Sequence, residues 1–265
     1  MYRVGLVGAG NMGRAMMGAW IESGTLKSDE IIVSDKDPEK LAAAADSFKV
    51  ETGEIEDVTS SNIVILAVKP QDSAGVLSHF KGHLGPSQTL LSIAAGLTIS
   101  TLRDAAGPAP AVVRVMPNMG AMVRAAVSGY AVELGEGEFD ANSVTTLLCA
   151  IGEAVEVGED MMNLVTAVSG SGPAYFFYLT EALEEAAIAA GMSEDVARLL
   201  ARETLWGAAK TIKEKGADPG ELRRAVSSPG GTTLAALSEM DAAGFRKIIA
   251  DAVTAAERRA GELAT

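Results

Sequence analysis

The sequence predicts an α/β N-terminal domain built on a mostly parallel sheet, followed by an all-α C-terminal domain. Three observations predict it. Short, continuously apolar runs alternate with helical stretches from residue 1 to about 160, the pattern of a parallel sheet covered on both faces. A glycine-spaced turn separates the first apolar run from the first helix. Beyond residue 160 the apolar runs give way to helical periods with clear start and stop residues, which sets the expected domains at 1–160 and 161–265.

The strands are expected at 2–7, 30–34, 62–68, 88–94, 111–116 and 129–134, with helices at 11–22 and 38–46 among the segments between them. "VTTLLCAIG" reads as a buried helix carrying Cys149 as a core residue. In the second domain, "SGSGPAY" reads as the start of a long helix, with Ser171 at or near the N-cap, Pro173 at N1 and an end at Gly191. The next helix runs from a Ser193 cap to Gly216. Asp218, Pro219 and Glu221 then mark a helix start on three counts. A final long helix is expected over 241–263. The apolar, multi-faced helices of this domain suggest burial against a second copy.

Composition narrows the function. The chain has 265 residues, 48% hydrophobic and 22% charged, with 35 acidic and 22 basic side chains and a net charge of −13. That balance argues against nucleic acid or an anionic membrane as partner and points to a small-molecule substrate. Cys149 is the only cysteine, so no intrachain disulfide forms. No run of 18 or more apolar residues occurs, so no membrane span is expected. The first residues lack a basic signal-peptide region, and the expected location is cytoplasmic. No metal-ligand spacing and no strand-to-helix G-x-S-x-G elbow is present, so neither a metal site nor a serine hydrolase is expected. His79 and His83 lie in or just after the helix around 71–85 and read as helix-end surface residues.

"VGLVGAGNMGRAM" places Gly8, Gly10 and Gly13 in G-x-G-x-x-G spacing after a strand and at a helix start, the context of a Rossmann-like dinucleotide site. Gly8 allows the tight turn, Gly10 the approach of a pyrophosphate and Gly13 close helix–strand packing. Ala9, Asn11 and Met12 fill the loop, whose free N–H groups favour phosphate. Asp35 ends the second strand 27 positions after Gly8, where a carboxylate accepts from a ribose hydroxyl and favours NADH. Ser34 and Lys36 could instead hold a 2′-phosphate and favour NADPH, so both cofactors stay open. Asp37 before Pro38 reads as an N-cap. Ligands bind beyond the carboxyl ends of such strands. Ala67, Val68, Lys69 and Pro70, then Ala95 and Gly96, then Asn118 are therefore expected at the cofactor. Lys69 reads equally well as a solvated residue before a proline-initiated helix. With few acid–base groups in sight, the expected chemistry is hydride transfer to an already activated acceptor.

"SGSGPAY" and "SSPGGTT" (227–233) remain, and both read as glycine-rich helix starts. Together with the fingerprint, with "AVKP" at 67–70, "AAG" at 94–96 and "RVMPN" at 114–118, they make the chain resemble pyrroline-5-carboxylate reductase from residue 2 to about 260. Pro219, Leu222, Val226, Ser227, Ser228, Gly230, Gly231, Thr233, Ala236, Leu237, Met240 and Asp241 sit in the spacing of that family's C-terminal signature. One departure is Met119-Gly120 after Asn118, where the family commonly carries Thr-Pro. The resemblance implies reduction of 1-pyrroline-5-carboxylate to L-proline by NADPH or NADH. It also implies a homodimer or higher homo-oligomer with the active site shared between subunits.

On that reading, Ser228, Gly230, Gly231 and Thr232 form a backbone grip for the substrate carboxylate at a helix N-terminus. Thr233 is the expected catalytic residue, at the ring nitrogen, and Ser171 approaches the substrate or cofactor. Two other classes fit the sequence less well. A β-hydroxyacid dehydrogenase would need a lysine on the first long helix of the second domain, and 173–190 contains none. A non-catalytic dinucleotide sensor has no need of a complete "SSPGGTT".

Overall fold

The computed structural model describes residues 2–264. Its first half alternates strand and helix: β1 (Val4–Val7), α1 (Asn11–Glu22), β2 (Ile31–Ser34), α2 (Pro38–Phe48), β3 (Glu51–Thr52), α3 (Ile55–Val58) and β4 (Ile63–Leu66). There follow α4 (Pro70–Leu77), β5 (Thr89–Ser92), α5 (Ile99–Ala106), β6 (Ala111–Met116), β7 (Ala126–Glu133), α6 (Ala141–Cys149) and β8 (Gly152–Glu156). The eight strands form one sheet in the order β3-β2-β1-β4-β5-β6-β7-β8. The first six are parallel, while β7 runs antiparallel to β6 and parallel to β8. The order reverses between β1 and β4, which places the ligand crevice at their carboxyl ends.

Alternation along the strands feeds two cores. Val4, Leu6, Ile31, Val33, Ile63 and Ile65 join one cluster with Met16 and Trp20 of α1. Val7, Ile32, Val64, Leu66 and Leu90 join the other with Phe80 and Leu102. Two buried faces require apolar residues at every strand position, which is why these strands read as unbroken apolar runs. The buried Trp20 ring donates its Nε1–H to the Leu147 carbonyl at 2.9 Å, so the indole is buried with its polar atom satisfied.

The helical part contains α7 (Met162–Val165), α8 (Gly172–Ala189), α9 (Glu194–Lys215), α10 (Pro219–Ala225), α11 (Thr232–Ala242) and α12 (Phe245–Leu263). The chain forms two compact units, one reaching to Ser171 and taking in the stretch from Ala256, the other Gly172–Ala255. Asp218 caps α10 by accepting from the Glu221 N–H, with Pro219 in the first turn. Gly191 follows α8, and Gly216 ends α9 in a left-handed conformation. Within α8 to α12 only Gly172, Ala197 and Ala201 are buried. Among the described residues no helix is long and apolar enough to cross a membrane.

Four expectations are corrected. The helix expected over 241–263 is two helices, because the chain turns at Ala243 and Gly244 between α11 and α12. Cys149 is exposed: Val144, Leu147 and Leu148 take the inward stripe of α6, and the next position falls outside it. "SGSGPAY" opens α8 at Gly172, as expected, but the helix follows directly on another helical turn instead of a capping loop. Thr166–Gly170 form a π-helical turn between α7 and α8, and Ser171 is itself helical at φ −83°, so it is not an N-cap. β3 and β8 were not expected. β8 has the sequence GEAVE, mostly exposed or half-buried, and lies at the sheet edge beside β7.

Candidate active site

In the first unit the site grows from the β1–α1 turn. Gly8 has φ +115°, and a Cβ there would lie 2.5 Å from the Ala67 carbonyl, so β1 and β4 approach as closely as only glycine allows. A Cβ on Gly13 would lie 2.2 Å from the Gly8 carbonyl, whereas one on Gly10 would meet nothing within 4 Å. No side chain caps α1 at Gly10. The loop thus offers open space and uncommitted first-turn N–H groups, which fit a dinucleotide pyrophosphate.

Asp35 ties this loop to β2. Its Oδ2 accepts the Ala9 N–H at 2.7 Å, and its Oδ1 accepts the Asp37 N–H at 2.9 Å. Around it, Lys36 pairs with Asp72 at 2.5 Å and Lys40 with Asp37 at 3.0 Å, and the His79 ring Nδ1 lies 2.8 Å from Glu56. The Lys40 ammonium, bonded to Asp37, holds that carboxyl below the usual range, and Asp37 raises Lys40 in return. Glu56 is lowered first by its own backbone N–H and then by His79. Asp37 also caps α2, as expected.

Two adjoining clefts run along the carboxyl edge of the sheet. One, of about 640 Å³, is lined by Gly8, Gly10, Ser34, Asp35, Ala67, Val68 and Lys69. The other, of about 520 Å³, shares Gly10, Ala67, Val68 and Lys69 and continues past Asn11, Met12, Pro70, Ala95, Met116 and Pro117. They adjoin through these shared residues, with Ser34 and Asp35 lining the first cleft and Met116 and Pro117 the second.

Most predicted cofactor residues thus come together, and the remainder act differently. Ala9 is buried, and its N–H goes to Asp35. Gly13 packs α1 on β1. Gly96 abuts the end of α12, since a Cβ there would lie 2.5 Å from the Leu263 carbonyl. The Asn118 side chain accepts the Gly120 N–H at 3.1 Å and donates to the Ser169 carbonyl at 3.1 Å. His79 lines the Asp35 end together with Lys40 and Gln71, although its place after a helix had pointed to plain surface.

The second unit carries "SSPGGTT". Ser228 to Gly231 make a β-turn, with the Gly231 N–H on the Ser228 carbonyl at 2.9 Å and Gly230 at φ +74°. Proline then glycine at the two central positions suits a type II turn. α11 begins directly after it, with Gly231 as N-cap and no side-chain cap. Ser228 Oγ lies 2.5 Å from where a Gly231 Cβ would be, so the serine folds over the helix start because residue 231 is glycine. Thr233 is half-buried and Thr232 exposed. Among the described residues, no cluster of three or more potential metal-binding side chains occurs.

Residues 159–263 match the family described as pyrroline-5-carboxylate reductase dimerisation, and residues 3–96 match NADP oxidoreductase, coenzyme F420-dependent. The chain is 40% identical to the pyrroline-5-carboxylate reductase of Methanosarcina acetivorans, over 98% of this chain and 97% of the relative. It is 34% identical to pyrroline-5-carboxylate reductase 2 of Bacillus subtilis, over 99% and 95%. Among solved structures, the Coxiella burnetii pyrroline-5-carboxylate reductase superposes with a TM-score of 0.93 at 32% identity, covering 100% of this chain and 99% of that one. The Plasmodium falciparum pyrroline carboxylate reductase, solved with NADP bound, gives 0.86 at 26% identity, over 100% and 98%.

Proposed function

The chain belongs to the pyrroline-5-carboxylate reductase family, and we propose that its groove holds the nicotinamide cofactor while the start of α11 holds the substrate carboxylate. The reaction is reduction of 1-pyrroline-5-carboxylate to L-proline with NAD(P)H. The bound nicotinamide supplies the hydride. The substrate, protonated at its ring nitrogen, is already electrophilic at C5. The protein is left with gripping the carboxylate, aligning C5 and bonding the nitrogen.

One observation carries the assignment: two glycine-flanked helix starts, α1 and α11, take no side-chain cap. Their first-turn N–H groups, aided by the helix dipole, suit two anions without lysine or arginine. The α1 start takes the pyrophosphate and the α11 start, with Ser228, Gly230, Gly231 and Thr232, takes the carboxylate. Thr233 hydrogen-bonds the ring nitrogen, and its half-burial against the exposure of Thr232 supports that choice. Ser171 approaches the substrate from the helical turn before α8.

We further propose a preference for NADH. Asp35, Asp72 and the nearby Asp37 and Glu56 outnumber Lys36, Lys40 and Lys69, which leaves a surplus of negative charge beside Ser34. A 2′-phosphate would meet that surplus, whereas a ribose hydroxyl can donate to the lone pairs of Asp35 left by the two backbone bonds. The assembly is a homodimer or larger, and the enzyme acts in the cytoplasm. Steady-state reduction of pyrroline-5-carboxylate with each cofactor tests the reading. NADH should give the higher kcat/KM. A preference for NADPH would overturn the role given to Asp35, and turnover with neither cofactor would overturn the function.

A further inference from the structure

We infer that Asn118 is a positioning residue, which fixes the π-helical turn at Thr166–Gly170 against the Met116 end of the groove. The argument starts from Pro173. In an α-helix the Ser169 carbonyl would accept from the N–H four residues on, and residue 173 is a proline with no N–H to give. The Asn118 amide supplies a donor instead, at 3.1 Å. The register has shifted at this place, since the Ser171 N–H reaches the Thr166 carbonyl five residues back at 2.8 Å. Such single π turns occur often at functional sites.

Two neighbours in sequence hold the same turn. The methyl end of Met116 lies 2.7 Å from where a Gly170 Cβ would be, so the groove-lining methionine packs closely on the turn at Gly170. Asn118 then bonds the adjacent carbonyl. Its other atom, Oδ1, caps the 3-10 turn that follows at Met119–Val123. One amide therefore locks two segments: the loop leaving β6 and the turn carrying Ser169 and Gly170, next to Ser171. This rests on the reading that Ser171 approaches the substrate. A shift of the turn would then misplace substrate against cofactor with no contact to either being lost.

Asn118→Asp separates the two halves of the role, because a carboxylate still caps Gly120 but cannot donate to Ser169. It should lower kcat roughly ten- to hundredfold, the scale of a misplacement of about 1 Å, with KM for the reduced cofactor changed less than about twofold. Pro173→Ala in that background restores an N–H that can serve the Ser169 carbonyl. The double variant should regain thermal stability while kcat stays low. Recovery of kcat to the level of Pro173→Ala alone would show that Asn118 only fills an orphaned acceptor, and would overturn the inference. Should Asn118→Asp not fold, Asn118→Ser keeps a capping oxygen but is too short to reach Ser169, and the same loss of kcat is expected. Ser171→Ala is the separate control. Wild-type kcat and KM in that variant would overturn the reading of the turn as a substrate neighbour, whatever the result at position 118.

Discussion

Thr232 and Thr233 are adjacent hydroxyls at one helix start, and their sequence positions do not rank them. Helical geometry does, by turning Thr233 into a half-buried position and Thr232 outward. An unperturbed threonine hydroxyl is a weak acid, so the role proposed for Thr233 is to orient the ring nitrogen more than to protonate it. Thr233→Ala should lower kcat by roughly 10- to 100-fold, below the 10²–10⁴ typical of a full acid–base residue. Wild-type turnover at saturating substrate would remove it from the site. The groove glycines were legible because each has a distinct steric duty that spacing alone reveals. Asn118 was legible as a residue at the mouth of the sheet but not in its use, since its partner Ser169 is 51 positions away and no local pattern encodes that bond. Cys149 was misplaced because an apolar neighbourhood in sequence covers more of a helix than its buried stripe does.

Strands buried on both faces announce themselves, as "IVIL" in β4 does, because each position must be apolar. β8 could not be read this way. It is a short edge strand, GEAVE, with no continuous apolar run, that exists through its ladder to β7. The π turn was equally hidden, since its glycines and serines also fit a capping loop. The split between α11 and α12 turns on Gly244, which a helical pattern tolerates as an isolated interruption. α8 carries the largest unspent surface: Phe176, Phe177, Tyr178 and Leu183 are each at least half exposed, and only Gly172 is buried. A helix apolar on several faces is stable when buried, and residues 159–263 match a dimerisation family. Sedimentation at micromolar concentration should give a dimer or larger, and Leu183→Glu should shift it toward monomer. A wild-type monomer would contradict the assembly.

At the scale of the molecule, the proposed reading gives each unit one grip. The first offers a groove with glycine, alanine and a tethering aspartate, and the second a glycine turn ahead of a helix. Both grips rely on backbone N–H groups, which reconciles anion binding with a net charge of −13. An iminium acceptor needs alignment more than acid–base power, which fits a proposed site built on backbone N–H groups and threonine. The most direct test is to supply reduced cofactor deuterated at nicotinamide C4, on each face in turn, with unlabelled pyrroline-5-carboxylate, and to locate the label in the product by mass spectrometry. The account predicts one deuterium at C5 of L-proline from one of the two faces. Proline formed without label at C5 from either face, or no proline at all, would contradict it.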